Sequence, residues 1–435
     1  MINCYELNGE FNENCMSFKD FNEIETYLNN NLSEIHKIPV EAIILIINEY
    51  SKKIAKNREI LRVEGVSFLC FYLKKVNIEK QLKLNLENIE YLNKFVQIDD
   101  EKYIKAQPRG IVCHWMAGNV PTLGIYSVMQ SILCKNANIL RVSKKSVSDV
   151  YKLLIILANI NVEYEGRTYS SNILLKNIAL VYFDSFDRNL NSLMSLKADV
   201  RIVWGNKAAV DDICLLPKKT TCKDLIFGPK YSFAVFDKSA IESDDLEEYL
   251  ENLVTDTIVF GQKGCSSPQV LFIEKSKLNV IDVAKILSIK FEKITKRYTN
   301  LYLEEAIAAK IINKRGEYLL GLDKLAYISK GLKYTILIDS EIKLEEPITG
   351  RTIFIKEVED IFDICPLITK NIQTLGIASK NKEKVLEFTD RVTTFGVDRV
   401  VKIGYMNFYD SPWDGSLIMS ELVRWCSLNI KGMMT

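Results

Sequence analysis

The residues with which this chain could run nucleophilic or acid–base chemistry are ten cysteines and two histidines. The cysteines (4, 15, 70, 113, 134, 214, 222, 265, 365 and 426) are spread along the whole length and form no C-x-x-C pair. That spacing speaks for neither a zinc ribbon nor a redox dithiol, and no metal site is expected. A dispersed cysteine in a large chain is mostly a small buried hydrophobe, so its surroundings must single one out. Cys265 is singled out by Gly261-Gln262-Lys263-Gly264-Cys265-Ser266-Ser267-Pro268, a tight irregular connection able to present one thiol. Catalytic side chains concentrate on such loops when rigid elements carry them. The chemistry would be attack by a thiolate. A cysteine–histidine pair would have to use His36 or His114, and His36 lies in a polar N-terminal region.

The elements around the loop are legible from periodicity. Upstream, Leu246, Tyr249, Leu250, Leu253, Val254, Thr257 and Ile258 recur at helical spacing; downstream, Val270-Leu271-Phe272-Ile273 suits a buried strand. Further back, 109–115 reads as a strand that breaks at Met116-Ala117-Gly118-Asn119-Val120-Pro121. A helix at 123–133 follows, then a strand at 137–142 ending in Ser143-Lys144-Lys145-Ser146, a helix at 150–158 and a strand at 178–183. The pattern continues with a helix at 187–196, a strand at 199–204, the turn Gly205-Asn206 and another helix. Strands alternating with helices imply a parallel sheet with right-handed crossovers, a usual dinucleotide-binding architecture. G-x-G-x-x-G is absent, so the pattern alone leaves open a doubly wound domain that binds something else, or nothing.

A second alternating region runs from 229 to about 400. The strand at 396–404 then leads through Asp410-Ser411-Pro412-Trp413-Asp414-Gly415 into an expected final helix at 417–428. The expected division is an N-terminal helical lobe at 1–100, a dinucleotide-binding domain at 101–228, a catalytic cysteine domain at 229–400 and a C-terminal segment at 401–435 that completes the site. The apolar share of 48% and charged share of 26% are those of an ordinary globular protein. A net charge of +1 argues against a general nucleic-acid binder. The start, MINCYELNGEFNENC, lacks the basic and apolar segments of a secretory signal, and no run approaches the ~18 apolar residues of a membrane span. A cytoplasmic location is expected.

Five motifs occur in order: H-W-M-A-G-N-V-P (114–121), N-A-N-I-L-R-V-S (136–143), V-W-G-N (203–206), F-G-Q-K-G-C-S-S-P (260–268) and P-W-D-G (412–415) with R-W (424–425). Together they resemble the aldehyde dehydrogenase superfamily, and within it the acyl-CoA reductase branch that includes the fatty-acid reductase subunit of bacterial luminescence. The resemblance implies an α/β fold of two doubly wound domains, cofactor-binding and catalytic, with an N-terminal helical lobe. It implies reduction of an acyl-CoA or acyl-protein thioester to aldehyde by NADPH, with NADH the less favoured cofactor. An acyl-protein synthetase is the implied partner, and a homo-oligomer is compatible with it.

Carried over residue by residue, Cys265 matches the nucleophile and Asn119 the amide that holds the developing oxyanion. Arg141 and Ser143 match the lysine and serine that contact the adenosine ribose; with Lys144 and Lys145 they make a basic loop suited to a 2′-phosphate. Gly205 matches the turn glycine before the helix that faces the pyrophosphate, and Asn206 follows it. His114 has two readings: assistance in proton transfer, or a packed histidine satisfied by hydrogen bonds. Ile226 stands where hydrolytic relatives carry a water-activating glutamate, and an apolar side chain cannot act as a base. Glu345 or Glu346 could contact the nicotinamide ribose. Trp413 stands where the family usually shows histidine, while Asp414 and Gly415 are retained. The alternatives are CoA-dependent aldehyde oxidation, the same chemistry reversed, and a non-catalytic acyl- or dinucleotide-binding protein.

Overall fold

The computed structural model describes residues 1–296 and 303–431 and divides into two compact units, Met1–Gly228 with Tyr409–Thr435, and Pro229–Phe408. The last four residues of the expected C-terminal segment lie outside the described residues.

The first unit begins with a hairpin, β1 (Ile2–Leu7) and β2 (Glu10–Phe18). Its turn is Asn8-Gly9, both with positive φ (57° and 83°), the backbone that twists two strands correctly into a hairpin. The expected all-helical first hundred residues are therefore corrected at 1–18. The signal was present in the N-G dipeptide beside a stretch whose burial alternates. Helices Asn22–His36, Val40–Lys56, Val66–Tyr72 and Lys75–Leu86 make up most of the remaining lobe.

There follow β3 (Val96–Gln97), β4 (Lys102–Pro108), β5 (Ile111–Trp115), β6 (Ala137–Arg141), β7 (Asn161–Tyr164), β8 (Arg167–Ser170), β9 (Ile178–Tyr182), β10 (Val200–Trp204) and β11 (Lys223–Phe227). The main sheet has the order β11-β10-β5-β6-β9-β1-β2, parallel from β11 to β9 and antiparallel beyond. Every residue of β5, β6 and β10 is buried, as expected of parallel strands covered on both faces. The chain leaves β5 toward β6 and β9, then crosses back to β10 and β11 on the other side. The order thus reverses between β5 and β10, which is where open α/β sheets bind ligands at their C-terminal edge.

The second unit carries β12 (Tyr231–Phe236), β13 (Pro268–Glu274), β14 (Lys324–Ile328), β15 (Thr335–Asp339), β16 (Thr352–Val358), β17 (Ile372–Ala378) and β18 (Arg399–Lys402). Their order is β14-β15-β16-β13-β12-β17-β18, parallel except for β14 at one edge. Alternation sorts the side chains between two cores. Ala234, Phe236, Leu271 and Ile273 pack with helices Leu246–Ile258 and Val280–Thr295. Phe233, Val235, Val270 and Phe272 pack with Tyr318, Phe388 and Val392 on helices Glu305–Leu320 and Lys382–Phe395.

The chain then returns to the first unit. The expected helix at 417–428 is corrected: a single helical turn, Ile418–Glu421, gives way to β19 (Val423–Asn429). All seven residues of β19 pair antiparallel with β4, from Val423 opposite Pro108 to Asn429 opposite Lys102, and β3 extends this small sheet. The partner strand lies some three hundred positions upstream, so local sequence gives no sign of it.

Candidate active site

In the second unit, Cys265 is half-buried in the turn between helix Leu246–Ile258 and β13. The approach to it is strained. Phe260, Gly261 and Gln262 all have positive φ (58°, 57° and 65°), and so do Thr349, Gly350 and Arg351 (69°, 64° and 63°). Left-handed backbone costs a residue with a side chain ~1 kcal/mol or more, so surrounding bonds must hold it. They do: Gly350 N–H donates to the Gly261 carbonyl at 3.0 Å. The buried Gln262 amide accepts from Thr352 N–H at 2.7 Å and donates to the carbonyls of Thr352 (2.7 Å) and Pro268 (2.8 Å). A side chain thus mimics a strand partner and stitches the thiol loop to the start of β16.

On the far side of the thiol, Ser232 Oγ donates to the Cys265 carbonyl at 2.7 Å and accepts from Thr374 N–H at 3.0 Å. The Ser266 hydroxyl donates to Asn407 Oδ1 at 2.9 Å. Burial pushes the nearby Asp256 carboxyl up to about 7, against the pull of the Gly404 and Met406 N–H groups and the Arg399 charge. Sequence reasoning singled out Cys265 and did not name these supports. Gln262 sits inside the quoted motif, whereas Ser232 and Asn407 carry no local signal.

Glu345 is engaged elsewhere. The fully buried Lys356 ammonium lies 2.7 Å from Asp339, 3.0 Å from Glu345 and 2.8 Å from the Glu341 carbonyl, so a lysine fills the centre of this acidic cluster. Glu346 is exposed.

In the first unit, Asn119 lies half-buried in the loop after β5. That loop touches the one after β6: a Cβ at Gly118 would stand 2.5 Å from Ser143 Oγ and 2.7 Å from Lys145 Cε, so a larger residue there would have to displace those two side chains. Ser143 Oγ bonds Ser146 Oγ at 2.9 Å, and Lys144 is exposed. Arg141 departs from a simple surface contact. Its guanidinium is buried, donates through Nη2 to the Phe183 carbonyl at 3.1 Å and packs 5.4 Å from the Phe183 ring, while Nε has no acceptor. Gly205 follows β10 at the point of strand-order reversal, and Asn206 Oδ1 caps helix Lys207–Cys214 by accepting from Ala209 N–H at 2.9 Å.

Of the two readings of His114, the geometry describes the packed histidine. Its side chain is wholly buried, with Nδ1 2.8 Å from Ser127 Oγ and Nε2 3.0 Å from Asn138 Oδ1. Asn138 Nδ2 donates to the carbonyls of Asn136 and Asn177, which leaves Oδ1 as acceptor and puts the ring proton on Nε2. Burial lowers the imidazole to about 4.

Ile226 is on β11 with 38% of its surface exposed. Trp413 is buried beside the stacked pair Tyr126 and Tyr409, with ring centroids 5.8 and 5.9 Å away. The backbone of Trp413 bonds reciprocally with Ser416 at 2.9 Å, and Asp414 and Gly415 take positive φ between them. Such a turn explains the Asp-Gly pair directly.

Solved structures place this architecture in a class. Aldehyde dehydrogenase 21 from Physcomitrella patens matches over 99% of both chains with a TM-score of 0.71 at 13% identity. The NADP-dependent glyceraldehyde-3-phosphate dehydrogenase from Bacillus halodurans C-125, solved with NADP, matches over 98% of this chain and 99% of its own, with a TM-score of 0.66 at 13% identity. The fold is that of the aldehyde dehydrogenases, as the motifs imply.

Within that class, residues 35–425 match the model of the acyl-CoA reductase (LuxC) family, and the chain belongs to that family. It is similar to the long-chain acyl-protein thioester reductase of Aliivibrio fischeri, 24% identical over 389 residues that cover 88% of this chain and 76% of that one. The Vibrio harveyi enzyme of the same name is 25% identical over 339 residues, 75% of this chain and 66% of its own, so the chain spans just under two thirds of that relative. Among the described residues, no helix is long and apolar enough to cross a membrane.

Proposed function

We propose that this protein reduces a fatty acyl thioester, on CoA or on a carrier protein, to the aldehyde with NADPH, through an S-acyl intermediate on Cys265. The observation that carries the reading is the thiol loop, where two left-handed segments and a buried glutamine hold one half-buried cysteine at the head of β13. Backbone strain sustained at a single thiol is the signature of a site in which geometry matters more than local stability. The family membership and the thioester reductases among its relatives supply the substrate class.

In this reading the Cys265 thiolate attacks the thioester carbon, a C–S bond forms, and the thiol of CoA or of the carrier departs with the electrons of the broken C–S bond. The Asn119 amide donates to the oxygen on which negative charge develops, a contribution of ~2.7–4 kcal/mol for one well-placed donor. A bound nicotinamide dinucleotide supplies the reducing equivalents. The residues present fit that cofactor: the strand order reverses beside Gly205, a capped helix N-terminus follows, and the buried Arg141 Nε at the end of β6 lacks an acceptor. Ser143 and Lys144 would hold the ribose end, and the exposed Lys144–Lys145 pair favours a 2′-phosphate. Ile226 offers no base to activate water, so the acyl group stays on sulfur instead of being hydrolysed. A cytoplasmic enzyme served by an acyl-protein synthetase completes the reading.

The test is steady-state oxidation of NADPH and NADH across acyl-CoA chain lengths, with mass spectrometry of the protein after acyl-CoA alone. Wild type is expected to gain one acyl group on Cys265 and to favour NADPH. Cys265→Ala is expected to lose both adduct and turnover, and full turnover in that variant would sink the reading.

A further inference from the structure

The two residues after Cys265 are serines, both buried, and both hydroxyls converge on one acceptor. Ser266 Oγ donates to Asn407 Oδ1 at 2.9 Å and Ser267 Oγ reaches the same oxygen at 3.4 Å. Asn407 is itself 2% exposed, and its Nδ2 donates to the Asp256 carbonyl at 2.8 Å, in the last turn of the helix that leads into the thiol loop. One amide therefore joins the entrance and the exit of the cysteine turn.

The segment that carries Asn407 is pinned from both sides. The buried Asp256 carboxyl accepts from Gly404 N–H at 2.6 Å and from Met406 N–H. The Arg399 guanidinium donates to the carbonyl of Met406 and, at 2.8 Å, to that of Phe408, the residues on either side of Asn407. A buried amide with both ends engaged has little freedom, since breaking either bond leaves a polar atom without water. What it holds is the backbone on the C-terminal side of Cys265, while Ser232 holds the Cys265 carbonyl. Those torsions set the direction of the Cα–Cβ bond and so of the sulfur.

We propose that Asn407, backed by Asp256 and Arg399, is the positioning residue of the Cys265 thiol, aiming the sulfur at the acyl carbon. This rests on the reading of Cys265 as the nucleophile. Attack on a carbonyl carbon demands a narrow approach, and a misplacement of about 1 Å costs on the order of 100-fold in rate. Alkylation by a small freely diffusing reagent makes no such demand, so the two reactions separate aim from exposure.

The experiment compares wild type, Ser266→Ala, Ser266→Thr and Asn407→Ala. For each it measures the single-turnover rate of Cys265 acylation by an acyl-CoA, the rate of Cys265 alkylation by iodoacetamide, and thermal unfolding. Asn407→Ala and Ser266→Ala are expected to acylate ~10-fold or more slowly. Alkylation should stay within about twofold for the same reason, and Ser266→Thr, which keeps the hydroxyl, should recover most of the acylation rate. Wild-type acylation in a folded Ser266→Ala or Asn407→Ala variant overturns the proposal. So does a parallel fall in acylation, alkylation and melting temperature, which marks a merely structural role. If the wild-type protein forms no S-acyl adduct while its thiol alkylates normally, the nucleophile reading itself fails.

Discussion

At neutral pH the imidazole of His114 carries no charge, and its two nitrogens are already spoken for by Ser127 and Asn138. Its effect is therefore on stability, with a definite sign. The folded state holds the ring near 4 where the unfolded chain holds it near 6.5, so between those values only the unfolded chain binds the extra proton. Stability from this group is constant above about pH 6.5 and falls as pH drops to about 4, by roughly 3 kcal/mol in all. His114→Gln removes the titration. Urea unfolding of wild type and variant should show a gap that narrows by that order between pH 7 and pH 4, and a gap independent of pH would contradict it. At this scale the sequence was half legible. Loop composition singled out Cys265, but no spacing shows that the histidine near the end of β5 is buried between Ser127 and Asn138, or that Asn407 bonds the residues of a turn more than a hundred positions away.

Periodicity captured the parallel strands and their crossover helices, because buried runs and helical faces are written locally. It lost β1 and β2, a hairpin marked locally by Asn8-Gly9, and β19, whose partner β4 is supplied by distant chain. β1 carries a further feature that composition hides: Glu6 is wholly buried, and its carboxyl accepts from Gly9 N–H at 3.1 Å through one oxygen while the other has no donor. Burial holds its carboxyl well above the usual range. A raised folded value means that the neutral acid contributes fully below the unfolded value and that this contribution is lost as pH rises. Glu6→Gln keeps the acceptor for Gly9 and cannot ionise. The variant should be more stable than wild type at pH 8 in chemical denaturation, and the difference should shrink toward pH 4.5. A variant less stable at both values would show that the carboxyl does something the amide cannot.

The second unit is one continuous stretch, 229–408, whereas the first is closed by its own distant end. β19 pairs along the whole of β4; Asn136 Nδ2 donates to the Leu422 carbonyl at 3.0 Å, Arg109 Nε to that of Glu421 at 2.6 Å, and Met419 N–H to Asn85 Oδ1 at 3.0 Å. Residues 229–408 expressed alone should therefore unfold in one cooperative thermal transition. Residues 1–228 should show none until 409–431 is supplied in trans, and a cooperative transition without it would refute this division of labour. The contact at Gly118 has a consequence of another kind. The loop bearing Asn119 and the loop bearing Ser143 approach closely at Gly118, where an added Cβ would press on Ser143 and on the end of Lys145. If the first receives the acyl oxygen and the second the ribose, the two ligands share one ordering cost, and each raises the affinity of the other by the same factor. On the proposed function, the close approach at Gly118 would then couple the binding of the two substrates within a single chain.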